Sequence, residues 1–283
     1  MAKTVADAFD VLIDRLKPSE TETAAAATHR VGIEARLTAD FGMTRLFRSG
    51  SFGHGTSVKG FSDIDYFAVI PSANMFASSN YTLQKVRESL LKRFPTTAIT
   101  VRSPAVVVPF GTTAGERHEI TPAYVDSSIY KIPNRYDGWM HSAPSTHAGW
   151  VNEVNDRHDK KVKQLIRLVK YWNYLAGAGI RSFYLEMRVA EYARGENSII
   201  YSHDVKRALN HMLGKELAAM QDPKGLVGYF YPCSEAQKPV ALSKLDTAVT
   251  RAQKAIDAEA AGNVATAFDW WDKLFLGKFP AYY

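Results

Sequence analysis

A single cysteine, Cys233, in 283 residues leaves no disulfide framework within the chain, and it excludes a zinc ribbon, which needs several Cys/His ligands. Long apolar runs are also missing. None approaches the roughly 18 residues that crossing a bilayer requires. The opening MAKTVADAFDVLIDRL is interrupted by acids and has no cleavage-site pattern, so it reads as an amphipathic helix and not a secretory signal. Internal repeats and low-complexity tracts are absent too. What remains is 46% hydrophobic and 23% charged, enough to fill a core and too much to be disordered or fibrous. A cytoplasmic protein of one large domain or two joined lobes is expected. Lys and Arg number 35 against 29 Asp and Glu, a formal charge of +6. That excess suits a nucleic-acid binder or an enzyme acting on polyanions, and composition does not separate the two.

Two periodicities divide the chain. Val5, Phe9, Leu12, Ile13 and Leu16 share one helical face over residues 3–17, and Lys17-Pro18 ends that helix. Ser19 with Glu22 forms a capping box for a second helix reaching about Asp40. From 43 to about 132 the pattern turns to short β-rich runs, at 43–48, 64–71, 97–102, 105–110, 117–125 and 128–132, with one helix near 81–94. The GTTAGE stretch at 111–116 makes its two flanking runs antiparallel neighbours. After about 145 the chain reads as helical, over 146–177, 182–195, 203–220, 239–261 and 264–275, with 221–238 as a surface connection. The expected architecture is α+β. Residues 1–145 form a mixed or antiparallel sheet lobe with the N-terminal helices, residues 146–283 form a helical lobe, and a cleft lies between them.

The most informative segment runs from Gly50 to Asp65, GSFGHGTSVKGFSDID. Its glycine order, G-x-x-G-x-G, is not that of a dinucleotide fingerprint. It is no Walker A loop either, because Thr56 stands where the lysine must be. The Asp-x-Asp at its end opens a β-rich run. Alternation there points Asp63 and Asp65 to one face and Ile64 into the core. Two carboxylates beside a glycine-rich turn can hold divalent ions and the phosphates those ions neutralise, or they can simply be acids at a solvated strand end.

Gly50-Ser51, eleven further residues and then Asp-Ile-Asp, with Gly55-Thr56 between, closely resembles the signature of the DNA polymerase β-like nucleotidyltransferases. The best match is the branch containing oligoadenylate synthetase, cyclic GMP-AMP synthase and the bacterial CD-NTases of anti-phage signalling. A third carboxylate three residues before a proline fits Glu119-Ile120-Thr121-Pro122, with glutamate for the more usual aspartate. Lys170-Tyr171-Trp172-Asn173 and Ser182-Phe183-Tyr184-Leu185-Glu186 are similar to the family's K-x-W-N and S-F-x-L-E segments, and 271–280 is similar to the ending of compact bacterial members. The resemblance covers about residues 43–280.

It implies a polymerase β-like lobe in which Asp63, Asp65 and Glu119 are the catalytic and metal-ligating residues for two Mg²⁺ ions, with Mn²⁺ as the alternative. Gly50 and Ser51 grip the donor's β/γ-phosphates, and Lys170 and Ser182 reach the same triphosphate. Read from the residues alone, Glu119 is otherwise a solvent-facing acid paired with Arg117 or His118, and Glu116 and Asp126 are the fallback acids. Lys163, Arg167 and Lys170 form the polar row of an amphipathic helix, which on its own means a solvated surface. Tyr184 either stacks on a nucleobase or belongs to the helix core. His54 either meets phosphate or is a partly exposed loop residue.

The function expected is condensation of NTPs into a cyclic di- or oligonucleotide second messenger, read by a downstream effector in anti-phage defence. A linear oligonucleotide synthetase shares the same motifs, and a non-catalytic nucleotide sensor is the reading from a different class. The protein is expected to act as a monomer away from membranes. A nucleic-acid activator is compatible with the basic helix but is not predicted.

Overall fold

The computed structural model describes residues 2–112 and 114–283; the side chains of 20–23, 25 and 115 lie outside the description, and with them the Glu22 half of the expected capping box. In chain order the first elements are helices α1 (Val5–Leu16) and α2 (Glu20–Phe41), strand β1 (Arg45–Arg48), helix α3 (Gly50–His54), strand β2 (Ile64–Val69) and helix α4 (Ser79–Arg93). Strands β3 (Thr100–Arg102), β4 (Ala105–Pro109), β5 (Arg117–Asp126), β6 (Ile129–Pro133) and β7 (Trp139–Ser142) follow. Then come helices α5 (Pro144–Arg157), α6 (Val162–Ala176), α7 (Ser182–Arg194) and α8 (Tyr201–Gly214), the short strands β8 (Met220–Gln221) and β9 (Tyr229–Phe230), and helices α9 (Lys238–Ala260) and α10 (Val264–Leu274). These elements form two units. One holds residues 18–148 and 224–227, the other 1–17, 149–223 and 228–283.

The sheet unit is built around β5. Strand order is β1-β2-β5-β4-β3, with β6 beside the far half of β5 and β7 beside β6. β2 runs parallel to β5 and every other pair is antiparallel, so the sheet is mixed. Alternation sorts its residues cleanly. Ile64, Tyr66, Ala68, Val106, Val108 and Ile120 face a core completed by Ile33 and Leu37 of α2 and Leu83, Val86 and Leu90 of α4. The other face carries Phe67, Ala123 and Ile132 with Phe47 and Tyr130. β5 changes partner partway along: β4 pairs with residues 117–120 and β6 with residues 124–126. Pro122, which has no N–H to donate, falls in the interval between them.

The turn between β6 and β7 is tied to the start of α4. Asp137 Oδ1 accepts from the Asn80 backbone N–H at 3.0 Å and from the Ser78 and Ser79 hydroxyls at 3.0 and 3.2 Å. A carboxylate at a helix N-terminus is favoured by the unpaired amides there. The Asn80 amide, then the Gly138 amide, hold its pKa at about 2, down from an ordinary 3.8. Because the folded value is the lower one, this stabilisation is present above pH 3.8 and is lost as pH falls toward 2. Asp137→Asn is therefore expected to melt below wild type at pH 6, with the gap in Tm narrowing as pH drops below 4. A pH series of thermal melts reads it.

In the helical unit, Phe9 of α1 meets Trp271 edge-on at 4.9 Å between ring centroids and Phe279 at 5.1 Å. This packing explains a departure from expectation: α1 belongs with the helical unit, not with the sheet lobe. The expected helix 146–177 is also two helices, α5 and α6, interrupted where Asp159 and Lys160 take positive φ values of 51° and 63°. The connection 221–238 contains part of a small hairpin, β8 with β9. Among the described residues no helix is long and apolar enough to cross a membrane.

Candidate active site

Parallel pairing of β2 with β5 sets Asp65 directly beside Glu119, as Cα partners 54 residues apart in sequence. Asp63 precedes β2 by one residue and, like Asp65, is half-buried, whereas Ile64 between them is fully buried. The three carboxylates thus share the sheet face opposite the α2/α4 core. Two arginines join them there. Arg117 Nη2 donates to Asp63 Oδ2 at 2.5 Å, and an Arg102 Nη1 nitrogen stands 3.7 Å from Glu119 Oε1. Burial first, and then the Asp63 charge, push the Glu119 carboxyl above its ordinary value, while Arg102 and Arg117 pull the other way.

The glycine-rich segment is a short helix and not an open turn. Gly50 begins α3 at φ +53, and a Cβ there would lie 2.0 Å from Asp65 Oδ2. Only glycine meets both demands, the left-handed backbone and the close approach of the carboxylate. The backbone returns the contact, with Ser49 N–H donating to the Asp65 carbonyl at 2.9 Å. Ser51 is half-buried on the same short helix. His54 is 4% exposed, so it is not the partly exposed loop residue expected.

Among the described residues no three acid, histidine or cysteine side chains are already gathered into an ion cage. The donor set nevertheless suits oxygen-bound divalent cations. All three side chains are carboxylates on one face, and Asp63 Oδ1 is buried without a hydrogen-bond donor, a lone pair that a cation would satisfy.

The residues expected on the helical unit take different roles. Lys170 is 1% exposed and donates to Glu186 Oε2 at 2.7 Å. Of the basic row, Arg167 and Lys170 are buried and Lys163 is half-buried, since α6 is buried on all sides from Leu165 to Asn173. Lys170, expected as a triphosphate ligand, has its ammonium engaged here by the buried Glu186 carboxylate. Of its two alternatives, Tyr184 takes the core one. It is 1% exposed, its hydroxyl donates to the Ala218 carbonyl at 2.8 Å, and the Arg188 guanidinium lies 5.3 Å from its ring centroid, so it is core. Asn173 clamps the turn after α6 with both amide atoms, donating to Ile180 O at 2.9 Å and accepting from Ile180 N–H at 3.0 Å. Ser182 is half-buried with its hydroxyl 2.9 Å from the Tyr174 hydroxyl. The K-x-W-N and S-F-x-L-E segments are therefore complementary halves of one helical hairpin. Sequence reading missed Arg102 as a member of the acidic cluster. Its signal was β3–β4 pairing, which carries the face of Glu119 through Val107 to the edge strand.

The pattern of the Second Messenger Oligonucleotide or Dinucleotide Synthetase domain matches residues 3–155. A probable cyclic nucleotide synthase of Bacillus cereus (strain VD146) is 26% identical over 174 residues, 58% of this chain and 52% of that protein, so the match spans about half the relative's length. Similar solved folds include Escherichia coli MS115-1 CdnC with ATP, with a TM-score of 0.77 and 17% identity over 97% of this chain and 98% of that one. Vibrio cholerae DncV cyclic AMP-GMP synthase, in complex with the linear intermediate pppA(3′,5′)pG, gives 0.78 and 14% over 95% and 94%. The Bradyrhizobium diazoefficiens CD-NTase CdnG with GTP gives 0.75 and 13% over 96% and 96%. The α+β architecture is thus that of the CD-NTase fold, and the chain belongs to the Second Messenger Oligonucleotide or Dinucleotide Synthetase family.

Proposed function

We propose that the protein is a nucleotidyltransferase that joins NTPs into a cyclic di- or oligonucleotide, with Asp63, Asp65 and Glu119 as its metal-binding carboxylates. The observation that carries this is the register of Asp65 beside Glu119, with Asp63 Oδ1 left unsatisfied next to them. When bound, a pair of Mg²⁺ ions supplies charge neutralisation at the triphosphate and a lower pKa for the attacking ribose hydroxyl. The chain's own part is positional. Gly50, having no Cβ, leaves room for the Asp65 carboxylate against the backbone of the short helix. Ser51 is the hydroxyl offered to a donor phosphate, and Ser182 is the helical unit's candidate for the same class of contact. The buried sheet core behind Ile64 and Ile120 keeps the acids from shifting as charge accumulates in front of them.

Domain membership supports a second-messenger product, and so does the bound linear intermediate of DncV, whose fold this chain shares. A cytoplasmic role in anti-phage defence, with an effector that reads the product, is the biological side of the same proposal. The test is incubation of purified protein with the four NTPs, labelled one at a time, and Mg²⁺ or Mn²⁺. The expected product survives phosphatase and runs as a cyclic species. A ladder of linear oligomers would convert the reading to a linear synthetase, and no pyrophosphate release with any NTP would leave a nucleotide sensor.

A further inference from the structure

Arg117 and Glu119 stand on the same side of β5, two residues apart, and Arg117 reaches across to the strand that follows the glycine-rich helix. With Arg102 beside Glu119, two of the three carboxylates each have a guanidinium within 4 Å.

The Arg117–Asp63 contact has features that a settled structural ion pair lacks. Asp63 keeps Oδ1 buried without a donor, and Arg117 keeps Nε buried without an acceptor. Structural pairs at this depth normally satisfy both carboxylate oxygens, often with the guanidinium bound in bidentate fashion. The Arg117 side chain is also 41% exposed against 18% for Asp63, so one partner is free to leave toward solvent while the other is fixed. Divalent cations and a triphosphate arriving together supply both missing partners: positive charge for Asp63, and phosphate oxygens for the released guanidinium.

We infer that Arg117 is a displaceable counter-ion that occupies Asp63 in the metal-free enzyme and passes to the phosphates when cation and NTP arrive together. The contact makes cation binding depend on nucleotide, since a cation alone must displace a guanidinium that gains only solvent, whereas the triphosphate offers it phosphate oxygens. The inference rests on the assignment of Asp63, Asp65 and Glu119 as metal ligands.

The test is Mn²⁺ affinity, followed by electron paramagnetic resonance on the full chain with no nucleotide present. Arg117→Gln is expected to bind Mn²⁺ about 1.5- to fivefold more tightly than wild type, the range for removing one partly exposed competing ion pair. Adding a non-hydrolysable NTP analogue should shrink that gap, because the wild-type arginine then has phosphate to bind. Arg117→Lys keeps a charge and stands in if the Gln variant does not fold; its Mn²⁺ affinity is expected between the two. Asp65→Asn is the control for the site itself. If it weakens Mn²⁺ binding while Arg117→Gln and Arg117→Lys bind no more tightly than wild type, the counter-ion role is overturned and the metal site stands. If Asp65→Asn leaves Mn²⁺ binding unchanged, the metal-site reading fails, and the counter-ion with it.

Discussion

Asp63→Asn and Asp65→Asn, made separately, are each expected to lower pyrophosphate release from NTPs by on the order of a thousandfold, with secondary structure retained. The size follows from what each carboxylate does. Asp65 lies against Gly50 at the start of the short helix, so closely that a Cβ there would meet its carboxylate, and is the Cα partner of Glu119 in the parallel ladder. Asn is nearly isosteric and fits that space, so the loss measures charge and not packing. Asp63 differs in having Arg117 on one oxygen and no donor on the other. Removing its charge also frees a guanidinium beside the remaining acids. Circular dichroism and a thermal melt on both variants separate a dead site from a broken fold. Activity within tenfold of wild type in either variant would sink the assignment of that carboxylate.

The second large effect lies in the helical unit. Lys170→Met is expected to cost about 3–5 kcal/mol of unfolding free energy, because it leaves the Glu186 carboxylate in a site where its own partner supplied the compensating charge. The side chains of the pair are 1% and 2% exposed, so solvent offers Glu186 little relief. Lys163 also feels the Glu186 charge, which places the expected loss toward the lower end of the range. A double variant, Lys170→Met with Glu186→Leu, should recover most of the loss, since two apolar groups of similar volume need no compensation. Urea titrations of the single and double variants decide it. A single variant as stable as wild type would show that the pair carries no structural weight.

These two sites differ in how readily the sequence reveals them, and the reason is physical. Asp63, Ile64 and Asp65 are neighbours, and the two-residue period of a strand assigns their faces without knowledge of anything distant. Glu119 needed the resemblance, because only the parallel pairing of β2 with β5 brings it to Asp65, and register between strands 54 residues apart is a tertiary fact. The burial of Lys170 is illegible for the opposite reason. A lysine on a helix is nearly always solvated, and the residue that reverses this, Glu186, is 16 positions away on another helix. Tyr184 had been left open between base stacking and core, and Arg188 with the Ala218 carbonyl decides for core. The strand β7 escaped notice because its four residues, Trp139–Ser142, follow a turn rich in Asn, Asp and Gly, and short edge strands leave little period to count. The break between α5 and α6 lies at Asp159 and Lys160, where no glycine or proline marks it.

Pro122 has a mechanical meaning beyond its place in a motif. Sliding β5 by one residue would turn Glu119 into the buried core and bring Ile120 to the acidic face, an error that would empty the site while leaving the sheet intact. On the edge that faces β4 and β6 the proline stands in the gap between their two ladders, where a missing N–H is tolerated, while β2 pairs along the other edge. Moved one step either way, it would be nearer a ladder that demands the hydrogen bond. The imide thus acts as a pawl on the strand, and the spacing of three between Glu119 and Pro122 is the tooth length that keeps the acid opposite Asp65.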